Sequence, residues 1–382
     1  MGIRKTMRDR DIFIISQSLS ALGNYFPMAL ALLSKNLELI GQIAIFQSLF
    51  TIFISITRSG MGFAMLKASG NHTNFQSLKP ALLIQSFFIL PSALIFCKYS
   101  LNSDYSLLIL FSSIILFGIA QEYYRAKLIS SNNYTQLLVA DLIWLAANFI
   151  FAVIYWDDFS LISISVTAFF GPFSSFVYIF FFLPSFKATR PRLEVKSLPI
   201  AELIFLSAMP LITFVSIFVL NIIWSTKHGL HDLGIVRGLS LFFIPVQFVL
   251  SIFPHIILKE KNSQVEFFDK KRRLILLILC AIFALIWAKY TEIFSIQILL
   301  IVFTIMFSMY SVIVSQETAL IRISENRFKV VVFVRFFWGG LLVFLGCIWP
   351  ASNSTPLHLA LIIALCDFFY KLILNSRFLK FG

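Results

Sequence analysis

Seven ionisable side chains lie within or at the ends of long apolar runs: the cations Arg58, Arg237 and Arg335, and the acids Glu122, Asp141, Glu317 and Asp367. A guanidinium is a planar fork of donors that matches phosphate or carboxylate oxygens. A carboxylate in the same setting can pair with a cation or take up a coupling ion. An ionisable group in hydrocarbon costs at least about 2.5–3.5 kcal/mol on insertion scales, so it persists where a cavity or a partner receives it. Nothing in the chain points to bond-making chemistry. The five His residues have no Cys or carboxylate at ligand spacing, the four Cys are scattered without paired spacing, and no Gly-rich loop could cradle a phosphate. No metal, cofactor or catalytic centre is expected, and the chain reads as a non-enzyme.

The elements that must carry these residues follow from composition. Of the 382 residues, 59% are hydrophobic and 13% charged, with a mean hydropathy of +0.89, too little polar surface to clothe a water-soluble globule. A spanning helix takes about 20 apolar residues. Apolar runs fall near 12–33, 39–66, 80–97, 105–121, 136–155 and 160–184, then near 201–225, 234–258, 274–289, 294–319, 329–349 and 356–374. The expectation is an all-α polytopic membrane protein, with about 12 transmembrane helices in two parallel six-helix bundles around a central cavity. The lobes are expected at 1–193 and 194–382. The polar residues of the first run, and the lack of a small-x-small cleavage site, mark it as a retained helix rather than a signal peptide.

Basic residues set the orientation. Twenty-four of the 31 Lys and Arg fall at the N-terminus, in every second loop or at the C-terminus, with Arg125, Lys127 and Arg273 counted among the loop cations. The intervening loops hold Lys35, Lys98, Lys227 and Lys289. This bias predicts that both termini are cytoplasmic. It also accounts for the net charge of +13 without a nucleic-acid partner.

An internal repeat fixes the register of the two halves. "QEYYRAKLISSNNY" from Gln121 returns as "QETALIRISENRF" from Gln316, Trp144 matches Trp338 at an offset of 194, and Gly41 matches Gly234. The Gln-Glu pairs are expected to close spans four and ten before short hairpins. An even number of spans in each half makes the repeats parallel, the layout of an alternating-access carrier. Asp141 and Arg335 occupy equivalent places, each about 10 Å from its helix end. They are either a mutual pair or two separate cavity contacts. Arg58 lies about 13 Å from the end of its span at Lys67. Arg237 is close enough to its span end to snorkel. For Glu122, Glu317 and Asp367 the competing reading is an interfacial carboxylate bonded to a nearby cation, and Asp367 and Lys371 have the spacing of an i,i+4 pair.

Two stretches carry a family resemblance. "LELIGQIAIFQSLFTIFI" and "HDLGIVRGLSLFFIPVQFVLSIFP" place Gly-led patterns of small and aliphatic residues at Gly41 to Phe50 and Gly234 to Leu241. With twelve spans in two halves, the chain resembles the polysaccharide-transport branch of the multidrug/oligosaccharidyl-lipid/polysaccharide exporter superfamily. The resemblance implies a flippase in a bacterial inner membrane. It would move undecaprenyl-pyrophosphate-linked oligosaccharide, such as an O-antigen unit, from the cytoplasmic to the periplasmic leaflet. It further implies a cationic cavity lined by the first, second, seventh and eighth helices, favouring Arg58 and Arg237 as headgroup contacts, with Arg335 as a third candidate. Asp141 and Asp367, and then Glu122 and Glu317, are the candidates for ion coupling or charge pairing. Beyond the lipid-linked substrate and the bilayer, a glycan polymerase and a chain-length regulator are candidate partners.

The alternatives are other twelve-helix transporters and a glycan enzyme. A major-facilitator carrier commonly has an acid in the loop that here reads "KASGNHTNFQSLK". A drug/cation antiporter would want buried carboxylates more than Arg. A polymerase or ligase would need a large outer loop, which the span boundaries do not leave.

Overall fold

The computed structural model describes residues 2–57, 85–100, 105–131, 133–182, 200–246, 270–324, 328–350 and 355–375. Twelve helices run through them: α1 (Gly2–Leu33), α2 (Leu37–Ser55), α3 (Ile89–Ser100), α4 (Leu108–Ser130), α5 (Tyr134–Ile154) and α6 (Leu161–Phe182), then α7 (Ile200–His228), α8 (Leu230–Leu241), α9 (Lys270–Tyr290), α10 (Ile296–Ser324), α11 (Phe328–Ile348) and α12 (Pro356–Asn375). Among the described residues eight helices are long and apolar enough to cross a membrane: α2, α5, α6, the later part of α7, and α9 to α12. Many of their large apolar side chains stay exposed, Val153, Ile296, Phe333 and Phe181 among them. Such a surface is stable only against lipid. The chain is a polytopic membrane protein with an all-helical fold.

The chain divides into two units, one of residues 1–34 and 46–211, the other of residues 35–45 and 212–382. In the first, α1 packs on α5 and α6, α4 packs on α5 and α6, α5 on α6, and α3 on α4. In the second, α10 packs on α11 and α12, α11 on α12, and α9 on α10. The pairings of α3 to α6 therefore recur, six helices later, in α9 to α12. The α1–α5 contact recurs as well: a Cβ on Gly339 of α11 would strike Ser216 of α7, and one on Gly346 would strike Leu220. The repeat in the sequence is thus a repeat in packing.

Two local features depart from expectation. The QEYYRAK segment is helical, so α4 runs to Ser130 instead of stopping near residue 121, and the hairpin to α5 is only residues 131–133. Its Gln, Glu, Arg, Ala and Lys are good helix formers with no Pro or Gly to interrupt them. The matching segment in α10 likewise continues to Ser324. The loop that the apolar runs leave at 226–233 shrinks to Gly229, whose φ of 92° suits only glycine. His228 ends α7, its ring 4.2 Å from that of Trp224.

Within the second unit the start of α2 crosses the start of α8 at backbone contact. A Cβ on Gly41 would overlap the carbonyl oxygen of Leu230, and one on Gly234 would overlap that of Leu37. No larger residue fits either place while the helices stay where they are.

Candidate functional site

The short α4–α5 hairpin brings an ion cluster together in the first unit. Arg125 is five residues from the end of α4 and Asp141 seven from the start of α5, which puts both about 8–10 Å from the hairpin. Arg125 Nε donates to Asp141 Oδ1 at 2.8 Å and Nη2 donates to Oδ2 at 3.0 Å. Its Nη1 lies 3.2 Å from Glu122 Oε2, one turn back on α4. Ser16 of α1 donates its hydroxyl to Asp141 Oδ2. Arg125, Asp141 and Glu122 are all buried, at 1%, 0% and 1% exposure. Leu128, Ile129, Tyr134, Leu137, Ala140 and Ile179 pack together beside the hairpin and exclude water.

Arg125 was counted in the sequence as a loop cation, and the structure corrects that. Its depth matches that of Asp141 once the hairpin is known to be three residues long. Glu122 fits the expectation of a carboxylate bonded to a cation, though buried rather than interfacial. Of the two alternatives for Asp141 and Arg335, a pair or separate contacts, the contacts described for each lie inside its own unit. A bidentate guanidinium already meets Asp141, whereas Arg335 stacks on aromatic rings.

In the second unit the charges are distributed differently. Glu317 of α10 meets Arg273 of α9, with Nη2 to Oε1 at 2.6 Å and Nη1 to Oε2 at 2.7 Å. Arg335 of α11 has its guanidinium carbon 4.0 Å from the ring centroid of Tyr370 and 5.4 Å from that of Trp338. Asp367 of α12 accepts from Ser308 Oγ at 2.5 Å and from Trp338 Nε1 at 3.1 Å. The expected Asp367–Lys371 pair is absent: the Lys371 ammonium lies over the Tyr310 ring, 4.9 Å from its centroid. Position 367 faces the neighbouring helices, where two neutral donors meet the carboxylate at closer range.

Arg237 of α8 is half-buried. Its Nε and Nη2 donate to Asn221 Oδ1 of α7 at 3.1 and 2.5 Å. No acid lies within ion-pair distance of it among the described residues, so this cation is held by a neutral side chain. Arg58 lies outside the described residues. Sequence reasoning missed Arg125, Asn221, Ser308 and Tyr370. For the neutral partners no spacing signal existed, because they come from other helices.

The fold these helices build is that of the MATE-like transporters of the MOP superfamily. A MATE transporter in complex with MaL6 aligns over 96% of this chain and 93% of its own, with a TM-score of 0.64 at 11% identity. An inward-facing multidrug resistance MATE family transporter of the MOP superfamily aligns over 94% and 92%, with a TM-score of 0.62 at 11% identity. A MOP superfamily transporter from Pyrococcus furiosus, in which a binding pocket of reverse polarity suggests a different function, aligns over 96% and 93%, again at 0.62 and 11%. No family model and no curated protein matches the chain by sequence.

Proposed function

We propose that this protein is an alternating-access transporter that carries an anionic, lipid-linked oligosaccharide from the cytoplasmic to the periplasmic leaflet of a bacterial inner membrane. Undecaprenyl-pyrophosphate-linked repeat units of O-antigen or another surface glycan are the substrate class. The observation that carries this reading is the sign of the uncommitted charge. The acids Glu122, Asp141, Glu317 and Asp367 all meet donors within the protein. Among the described residues Arg237 meets only the neutral Asn221 oxygen, so positive charge is what remains to receive a substrate. A pyrophosphate crossing a low-dielectric region needs such cations, and a guanidinium can take two of its oxygens at once. Arg58 joins Arg237 in this role by its depth in the sequence. Asp141 and Asp367 stay as the candidate ion-coupling groups.

The runner-up is a drug/cation antiporter, favoured by the fold likeness to a multidrug resistance transporter. The two readings separate on deletion of the gene. The flippase reading expects lipid-linked glycan to accumulate on the cytoplasmic leaflet, drug susceptibility to stay unchanged, and a gene copy carrying Arg237→Ala to fail in restoring surface glycan at normal protein abundance. Normal surface glycan with heightened drug susceptibility in the deletion strain overturns it in favour of the antiporter.

A further inference from the structure

We infer that the second unit contains an oxyanion site of its own, formed between α11 and α12 by the Arg335 guanidinium and the Tyr370 hydroxyl, which takes a phosphate group of low charge.

Arg335 is only 9% exposed. It stacks on Tyr370 and Trp338 but makes no hydrogen bond or ion pair among the described residues. Stacking on a ring offsets part of the cost of burying a cation and leaves its N–H donors unanswered. The Tyr370 hydroxyl, on the ring that Arg335 covers, is itself buried without a hydrogen-bond partner. Ser311 Oγ of α10 is a further buried, unpartnered hydroxyl. It lies three residues beyond Ser308, as Tyr370 lies three beyond Asp367, on helices that run parallel through the Ser308–Asp367 and Thr318–Asn375 bonds. A buried guanidinium stacked beside a buried, unpartnered hydroxyl leaves donors that an anion can take.

The internal duplication supports the same conclusion. Arg335 stands at the place that Asp141 holds in the first half. There the chain supplies the counter-charge itself, from Arg125. The residue equivalent to Arg125, at the offset of 195 set by Gln121 and Gln316, is Leu320. Among the described residues the acid near Arg335 is Asp367, and both its oxygens already accept from Ser308 and Trp338. One half therefore carries a closed ion pair, and the other carries a cation that no acid answers among the described residues.

Geometry and charge narrow the ligand. Arg335 is seven residues into α11 and Tyr370 five from the end of α12, about 10 and 8 Å from the helix ends. That is within reach of a phosphate at the membrane interface. The Asp367 carboxylate one turn from Tyr370 disfavours a multiply charged anion, so a singly charged phosphate or phosphodiester fits best. The site lies within one unit and does not depend on the cargo proposed above.

The test uses the purified full-length protein in detergent, with Trp338 fluorescence as the readout beside the guanidinium. Dihexanoyl phosphatidylglycerol and inorganic phosphate serve as separate probes. Wild-type protein is expected to bind at least one probe saturably, and Trp338→Phe to remove the optical signal. Tyr370→Phe keeps the ring that stacks on Arg335 and loses only the hydroxyl. It should weaken binding about tenfold, as expected for one hydrogen bond to a charged group. Arg335→Gln should weaken it further. Binding of the lipid probe alone assigns the phosphate to a lipid headgroup, and binding of inorganic phosphate admits a free anion. Absence of binding by both probes, or an affinity unchanged in Tyr370→Phe, overturns the site, whether or not Arg335→Gln folds.

Discussion

The ion cluster of the first unit makes an asymmetric prediction about its two main members. Arg125→Met removes the cation from between Asp141 and Glu122 and leaves two buried carboxylates, with Asp141 retaining only its bond from Ser16. Stranding a buried charge in this way costs about 3–5 kcal/mol. Asp141→Asn is milder. The amide oxygen can still accept from Arg125, and the guanidinium keeps Glu122 at 3.2 Å, so a balanced pair survives. The loss is then about one charge-assisted hydrogen bond, roughly 1.5–3 kcal/mol. Arg125→Met should therefore be the more destabilising substitution by about 2 kcal/mol, the gap between the centres of those ranges. Reversible unfolding in mixed micelles, followed by tryptophan fluorescence, measures both. If Asp141→Asn costs as much as Arg125→Met, or both cost under about 1 kcal/mol, the three charges do not act as one buried network. Transport measured on the same variants separates the other role. An Asp141→Asn protein that stays folded yet loses ion-dependent transport makes Asp141 a coupling group, and unaltered ion dependence leaves it structural.

Further outcomes follow from the second unit. Gly41→Ala or Gly234→Ala forces a methyl into a backbone carbonyl and should cost about 1–3 kcal/mol, whereas Gly340→Ala, with open space around it, should be neutral or stabilising by up to about 1 kcal/mol; equal effects at the three positions would contradict the crossing. Trp338→Phe takes a donor from Asp367 and should cost about 1–3 kcal/mol; stability within about 0.5 kcal/mol of wild type would show that the bond contributes nothing. Arg273→Gln should cost less than about 1 kcal/mol, because Glu317 is 22% exposed and shared with solvent; a cost equal to that of Arg125→Met would mean that this pair is sealed from water.

The architecture was largely legible in the sequence because lipid allows few solutions. Apolar runs of spanning length gave the twelve helices, and matched Gln-Glu, Trp and Gly positions gave the repeat that recurs in packing. The site was less legible for a physical reason. Counting Lys and Arg by loop assigns every cation near a span end to water, and Arg125 stands there in sequence while lying inside the bundle. Nothing in its own neighbourhood marks it, since QEYYRAK reads equally well as a polar loop. Only the length of the hairpin, three residues, brings it level with Asp141. Arg335 was found by its depth, but its surroundings were not, because Tyr370 lies on another helix at no fixed spacing. The Asp367–Lys371 spacing was correct and still misled, since side chains on one helix compete with donors from its neighbours.

The glycine crossing has a further meaning. Leu37 and Gly41 of α2 stand at an offset of 193 from Leu230 and Gly234 of α8. Gly41 rests on Leu230, and Gly234 rests on Leu37. Residue i touches j while the counterpart of i touches the counterpart of j, the reciprocity of an isologous dimer contact. A six-helix ancestor with one such leucine and glycine would have made the contact twice with a second copy of itself. In a single chain each half can change alone, and at the equivalent positions Asp141 and Arg335 the two halves carry opposite charge.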